Sequence, residues 1–101
     1  MSKRCKLAFD AWRVTLDGAI VEREVVNRAR ALKGRGWHSY GISSLWESIR
    51  YDRDVGLLGD GTFKINNNHR AYMARYVMEN YPDLMGFFKI RALKGVRYDD
   101  Y

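Results

Sequence analysis

Near the N-terminus the apolar residues recur at helical spacing, and at Gly18 the apolar stripe changes face. Phe9, Trp12, Leu16, Ala19 and Ile20 share one side of a helix, with Asp10, Arg13 and Asp17 turned elsewhere. Beyond Gly18 the stripe runs through Val21, Val25, Ala29 and Leu32, which is a different face of an ideal helix. One straight helix cannot bury both stripes in one core, so either the helix kinks near Gly18 or two helices meet there within the region 7–33. A chain of 101 residues supports a single core, and the remaining elements are expected to pack against this helical region as one domain, 1–101.

The punctuation downstream places those elements. Lys33-Gly34-Arg35-Gly36 supplies the glycine and cations of a helix C-terminus. Ile42, Leu45, Trp46 and Ile49 then stand at i, i+3, i+4 and i+7, and Ser44 with Glu47 has the spacing of a capping box, which predicts a helix over 42–52. Gly59-Asp60-Gly61 separates Val55-Gly56-Leu57-Leu58 from Thr62-Phe63-Lys64-Ile65, and the alternation of the second arm predicts a hairpin. Asn66-Asn67-Asn68 offers side-chain caps for a helix reaching Tyr81 before Pro82, with Met73, Ala74, Val77, Met78 and Tyr81 on its core face. Phe88, Ile90 and Ala92 alternate with Lys89 and Arg91 in a last predicted strand. The N-terminal basic arm, 1–6, and the tail, 98–101, are expected to be flexible. The order implies an α+β domain of two or three helices with a small antiparallel sheet. That order also accommodates a winged-helix-like variant with the hairpin or terminal strand as wing, a likeness resting on element order alone.

Composition sets the solvent and the compartment. With 47% hydrophobic and 14% aromatic residues and one proline, the chain can bury enough surface to fold. A single cysteine, Cys5, forbids an internal disulfide and a cysteine-rich zinc site, and fits a reducing cytosol. No apolar run approaches the roughly 20 residues that span a bilayer, and the opening Met1-Ser2-Lys3-Arg4-Cys5-Lys6 is not followed by a signal-type stretch. The expectation is a cytoplasmic protein with no membrane partner.

Catalytic equipment is sparse. His38 and His69 stand beside no serine or cysteine nucleophile in any recognisable motif, and without a cysteine pair they do not complete a zinc set. His38 is expected in a loop, and His69, in the first turn of a helix, at the surface. Asp52, Asp54 and Asp60 lack the convergent spacing of a two-metal nuclease. Pro82-Asp83 begins like a restriction-nuclease signature, but Phe87-Phe88-Lys89 has an aromatic where the second acid belongs. Gly56, Gly59 and Gly61 are followed by no Gly-Lys-Ser/Thr and do not form a phosphate loop. The sequence therefore predicts neither an enzyme nor a cofactor or metal.

Charge is the stronger signal. The formal net charge is +6, which exceeds what solubility alone requires and draws the chain towards polyanions. Lys3, Arg4 and Lys6 form the arm; Arg23, Arg28, Arg30, Lys33 and Arg35 line the first helical region; Lys89, Arg91, Lys94 and Arg97 follow the last strand. Asn67 and Asn68 open a helix whose free N–H groups suit a phosphate, Arg70 sits in its first turn, and Arg75 with Tyr72 and Tyr76 continues along its polar side. These residues predict contact with DNA or RNA through Arg28, Arg30, Asn67, Asn68, Arg70, Arg75, Tyr76, Lys89 and Arg91. An ordinary solvated face or partly buried tyrosines would read the same way, and an acidic host-protein surface would meet the same cations. The helix at 42–52 and the one near Asn67 are too far apart for a helix-turn-helix.

From Trp37 onward the chain resembles an uncharacterised group of small phage, prophage and bacterial proteins. The matching stretches are Tyr40-Gly41-Ile42 with Glu47-Ser48-Ile49-Arg50, Phe63-Lys64-Ile65-Asn66-Asn67, Ala74-Arg75-Tyr76, and Pro82-Asp83-Leu84-Met85-Gly86-Phe87-Phe88-Lys89-Ile90-Arg91, while residues 20–36 depart from the pattern. The resemblance implies a phage or mobile-element origin, a setting in which short basic proteins bind DNA or block a host machine. It carries no activity to transfer.

Overall fold

The corner near Gly18 is a junction of two helices. The computed structural model describes residues 3–89, with α1 over Lys3–Arg13 and α2 over Leu16–Gly34. The break falls at Val14–Thr15, three to four residues before the glycine, and Thr15 explains it. In extended conformation, Thr15 accepts a hydrogen bond from Gly18 N through Oγ1 at 3.2 Å, capping α2, and donates through the same oxygen to Trp12 O at 2.5 Å. Asp17 adds a negative charge to the first turn of α2. Gly18 sits against the end of α1: a Cβ there would lie 2.6 Å and 2.8 Å from the Arg13 Cα and C, so the tight corner needs glycine.

A short strand, β1 (Tyr40–Gly41), leads directly into α3 (Ile42–Asp54). The expected capping box is not formed. Pairing of β1 fixes Gly41 in extended conformation as the helix boundary, which makes Ser44 already the third helical residue, and no side chain caps the start. Next, Asn66 accepts from Asn68 N at 2.8 Å, so of the three asparagines offered as caps it is Asn66 that serves. A single 3-10 turn, Asn67–His69, then opens into α4 (Arg70–Asn80). A second such turn at Pro82–Leu84 precedes β2 (Phe88–Lys89).

Two sheet expectations are corrected. Residues 55–66 contain no strand, so the hairpin is absent and cannot serve as a wing. Gly56, Gly59 and Gly61 all take positive φ, and the coiled segment they produce cannot lie beside the arm that follows. That arm is extended, but its backbone is held by helices: Arg53 donates to Phe63 O at 3.1 Å, Trp12 Nε1 to Lys64 O at 3.3 Å, and Lys64 N to the Asp17 carboxylate at 3.0 Å. The sheet that does form is parallel, pairing Tyr40 with Phe88 and Gly41 with Lys89. Its crossover passes through α3 and α4, as parallel pairing requires. The predicted strand over 88–92 is described only as far as Lys89; Ile90, Arg91 and Ala92 lie outside the described residues, as do Met1, Ser2 and the 98–101 tail, while residues 3–6 of the expected flexible arm are helical, opening α1. Among the described residues four helices thus dominate, and the α+β character there rests on this small parallel pair.

α1 and α3 each pack on both α2 and α4. Trp46, Phe9, Leu45, Ile49, Met73, Leu84, Val21, Val25 and Val77 are the largest fully buried side chains. The Val21-Val25-Ala29 stripe of α2 is buried as its spacing predicted. Leu16 is not, being 77% exposed at the corner, and Trp12 is half-buried. Tyr72 also moves from its expected polar side into the core, where its ring stacks on Phe9 at 5.7 Å.

Candidate nucleic-acid interface

The residues expected to form one basic face fall into groups with different chemistry. On α2, Arg28 is committed internally. Its Nε binds Glu24 at 3.0 Å, its Nη1 donates to Ser48 Oγ at 2.9 Å, and its Nη2 meets Asp52 at 2.6 Å, tying α2 to α3. Arg30 grips Asp83 with Nε and Nη2 at 2.8 and 3.1 Å, and its guanidinium lies 5.5 Å from the Tyr81 ring. The hydrogen bond from Arg30 holds the Asp83 carboxyl below the usual carboxylate range, and that same bond raises Arg30. Helical spacing could not reveal either commitment, because Asp52 and Asp83 are 24 and 53 residues away in the chain.

At the start of α4, Asn67 and Asn68 are exposed and Arg70 is half-buried. Asn67 accepts from Arg50 Nη2 at 2.5 Å, which brings a cation the sequence reading had not selected to this end of the helix. Arg70 makes no ion pair among the described residues. Arg75 and Tyr76 are half-buried. Tyr76 is not free to stack on a base: the Arg13 guanidinium lies 4.1 Å from its ring centroid and Nη1 donates to its hydroxyl at 3.0 Å. Arg13 also approaches Glu22 at 3.6 Å, and Tyr81 donates to Glu22 at 2.7 Å, so one polar network joins α1, α2 and the end of α4. That hydrogen bond to the Glu22 carboxylate, with burial, pushes the Tyr81 phenol up to about 12.

His69 corrects another expectation. It is buried, lies 4.8 Å from Trp12 with the rings nearly parallel, and its Nδ1 has no hydrogen-bond partner. Burial lowers its pKa, so the neutral ring is favoured. Cap position alone had suggested exposure; the neighbouring Trp12 could be identified only once α1 was folded back. His38 is exposed in the loop before β1, as expected.

Asp52 and Asp54 serve arginines, and Asp60 accepts from Thr62 Oγ1 at 2.6 Å and from its N at 2.9 Å, which lowers the Asp60 pKa. Among the described residues no three histidine, cysteine or acidic side chains gather as metal ligands, and no helix is long and apolar enough to cross a membrane.

Lys89 is exposed on β2, and Arg91 lies outside the described residues. Arg35, which the sequence grouped with the cations of the first helical region, is exposed in the turn that follows α2, and so is Trp37, which sequence reasoning did not select. The signal was present as a tryptophan within a glycine-rich basic loop. Neither a family model, a curated protein nor a solved structure matches the chain.

Proposed function

We infer that the chain is a non-enzymatic nucleic-acid-binding domain, a small regulator of the kind the phage resemblance implies, working in the cytoplasm. The observation that carries this reading is where the charge remains after internal pairing. Lys6, Arg13, Arg28, Arg30, Arg50 and Arg53 are held by carboxylates, whereas Arg4, Arg23, Arg35, Lys64, Arg70 and Lys89 have no carboxylate within ion-pair distance among the described residues. Among the described residues most of the acids are taken up by ion pairs, and the surplus cations face solvent, where phosphates are their natural counterions.

Fluorescence anisotropy with labelled duplex and single strands, titrated with salt, tests the reading. The expected result is binding whose log affinity falls linearly with log salt. Absence of salt-sensitive binding to DNA and RNA overturns it.

A second reading, capture of a host protein, is favoured by one observation: Leu7, Val14 and Leu16 stand 66, 72 and 77% exposed around α1 and its corner. A host protein retained in a pull-down after nuclease treatment, with no binding to purified nucleic acid, is the result that selects it.

A further inference from the structure

The turn after α2 holds an exposed aromatic ring among cations. Trp37 keeps 50% of its surface in solvent although its position is fixed. Its backbone N–H donates to Leu32 O at 3.1 Å, and its ring meets that of Tyr40 at 5.3 Å and 83°. An exposed tryptophan braced in this way presents a preorganised aromatic surface, so little ordering is needed to stack on it.

The surroundings are equally defined. Lys33 donates to Asp83 O, Arg30 holds the Asp83 carboxylate, and Tyr40 N donates to Phe87 O at 3.1 Å. These contacts, with the parallel pairing of Tyr40 to Phe88 and Gly41 to Lys89, lay the segment after Pro82 along the segment after Arg30. Arg35, two residues before Trp37, and Lys89, which pairs with Gly41 just after Tyr40, are exposed without carboxylate partners among the described residues, and Asp83, the acid that Lys33 and Arg30 both contact, is already neutralised by Arg30.

We propose that Trp37 is a stacking platform for single-stranded nucleic acid, with one unpaired base on the indole and Arg35 and Lys89 on the flanking phosphates. The proposal rests on the nucleic-acid reading and narrows it to unpaired bases at this turn. A duplex does not fit the same chemistry, because its bases are stacked on one another and offer no free face to the indole. Every base has such a face, so the platform is indifferent to sequence.

The test combines a short oligothymidine, a hairpin duplex and the variants Trp37→Leu, Trp37→Phe and Arg35→Ala. In the wild type, the single strand is expected to quench tryptophan emission and to bind more tightly than the duplex. Trp46 is fully buried and Trp12 half-buried, so the quenching should vanish in Trp37→Leu. Trp37→Leu should weaken single-strand binding about tenfold or more with an unchanged salt slope, and Trp37→Phe should recover much of the loss. Arg35→Ala should lower the slope by about 0.7. Circular dichroism melting checks that the variants fold. Wild-type single-strand affinity in a folded Trp37→Leu overturns the platform while leaving the nucleic-acid reading intact. Failure of the wild type to bind any nucleic acid overturns both.

Discussion

The His69 imidazole lies almost parallel to the Trp12 indole, with centroids 4.8 Å apart and planes at 14°. This contact joins the turn before α4 to α1, and it places a titratable ring in the aromatic cluster with Phe9 at 5.8 Å and with an unbonded Nδ1. Protonation there would put an unpaired charge into an apolar site.

Stability should therefore depend on pH in a defined direction. Burial lowers the folded-state pKa of His69 below the ordinary histidine value of about 6.5, so in the window between the two values the unfolded chain binds more protons. The stabilising contribution is complete above about pH 6.5 and is lost as pH falls towards the folded-state value. Urea midpoints measured from pH 8 to pH 5 should fall over that window in the wild type. His69→Phe keeps the stack with Trp12 and removes the titration, so its profile should be flatter over the same range. An identical slope in both proteins rules His69 out as the source.

Trp46 is wholly buried on α3, the helix that packs on α2 and α4, and its ring lies 6.2 Å from Trp12. Trp46→Ala should cost about 3–5 kcal/mol, most of the stability of an ordinary domain, through lost burial and the cavity left behind. Chemical denaturation reads this directly. A change under 1 kcal/mol would mean that α3 does not form the centre of the core.

How much of this was legible beforehand depended on chain separation. The i, i+3, i+4, i+7 spacing of Ile42, Leu45, Trp46 and Ile49 predicted a helix and its buried face, and all four are buried. The helical character of the N-terminal region was legible too, but its break was assigned to the glycine. The cause is the Thr15 cap, a local signal outweighed by the more visible Gly18. The hairpin failed because alternation in Thr62-Phe63-Lys64-Ile65 reports only an extended chain with one buried side. Its partners turned out to be Trp12, Asp17 and Arg53 side chains. β1 spans two residues and carries no periodic signal at all. For the candidate interface, sequence identified the cations but not which of them the fold would neutralise. Arg28 and Arg70 look alike in the chain, and only their three-dimensional neighbours separate them.

Two glycines separate steric from conformational effects. Gly18→Ala forces a Cβ against the backbone of Trp12 and Arg13, neither of which can swing aside, and should destabilise by about 1–3 kcal/mol. Gly34 ends α2, is exposed, and has no atom within 4 Å of its would-be Cβ. Gly34→Ala should stabilise by about 0.5–1 kcal/mol through helix propensity and a less flexible unfolded chain. Thermal melts of the two variants should shift in opposite directions. A shift of the same sign would place the corner between α1 and α2 elsewhere.

Arg28 and Arg70 give the sharpest contrast between structure and binding. The Arg28 side chain is 26% exposed and bridges Glu24, Ser48 and Asp52. Arg28→Ala should cost about 1–2 kcal/mol of stability, because it leaves two carboxylates without their cation, and should change nucleic-acid affinity little. Arg70 has no ion pair among the described residues and stands at the opening of α4 beside Asn67 and Asn68. Arg70→Ala should leave stability within about 0.5 kcal/mol of wild type and lower the slope of log affinity against log salt by about 0.7–0.9, as the loss of one phosphate contact requires. The measurements are denaturation and salt-titrated anisotropy on the same two variants. If Arg28→Ala lowers the slope while Arg70→Ala does not, the ion pairs of α2 open on binding and α2 is the contact face in place of the α4 end.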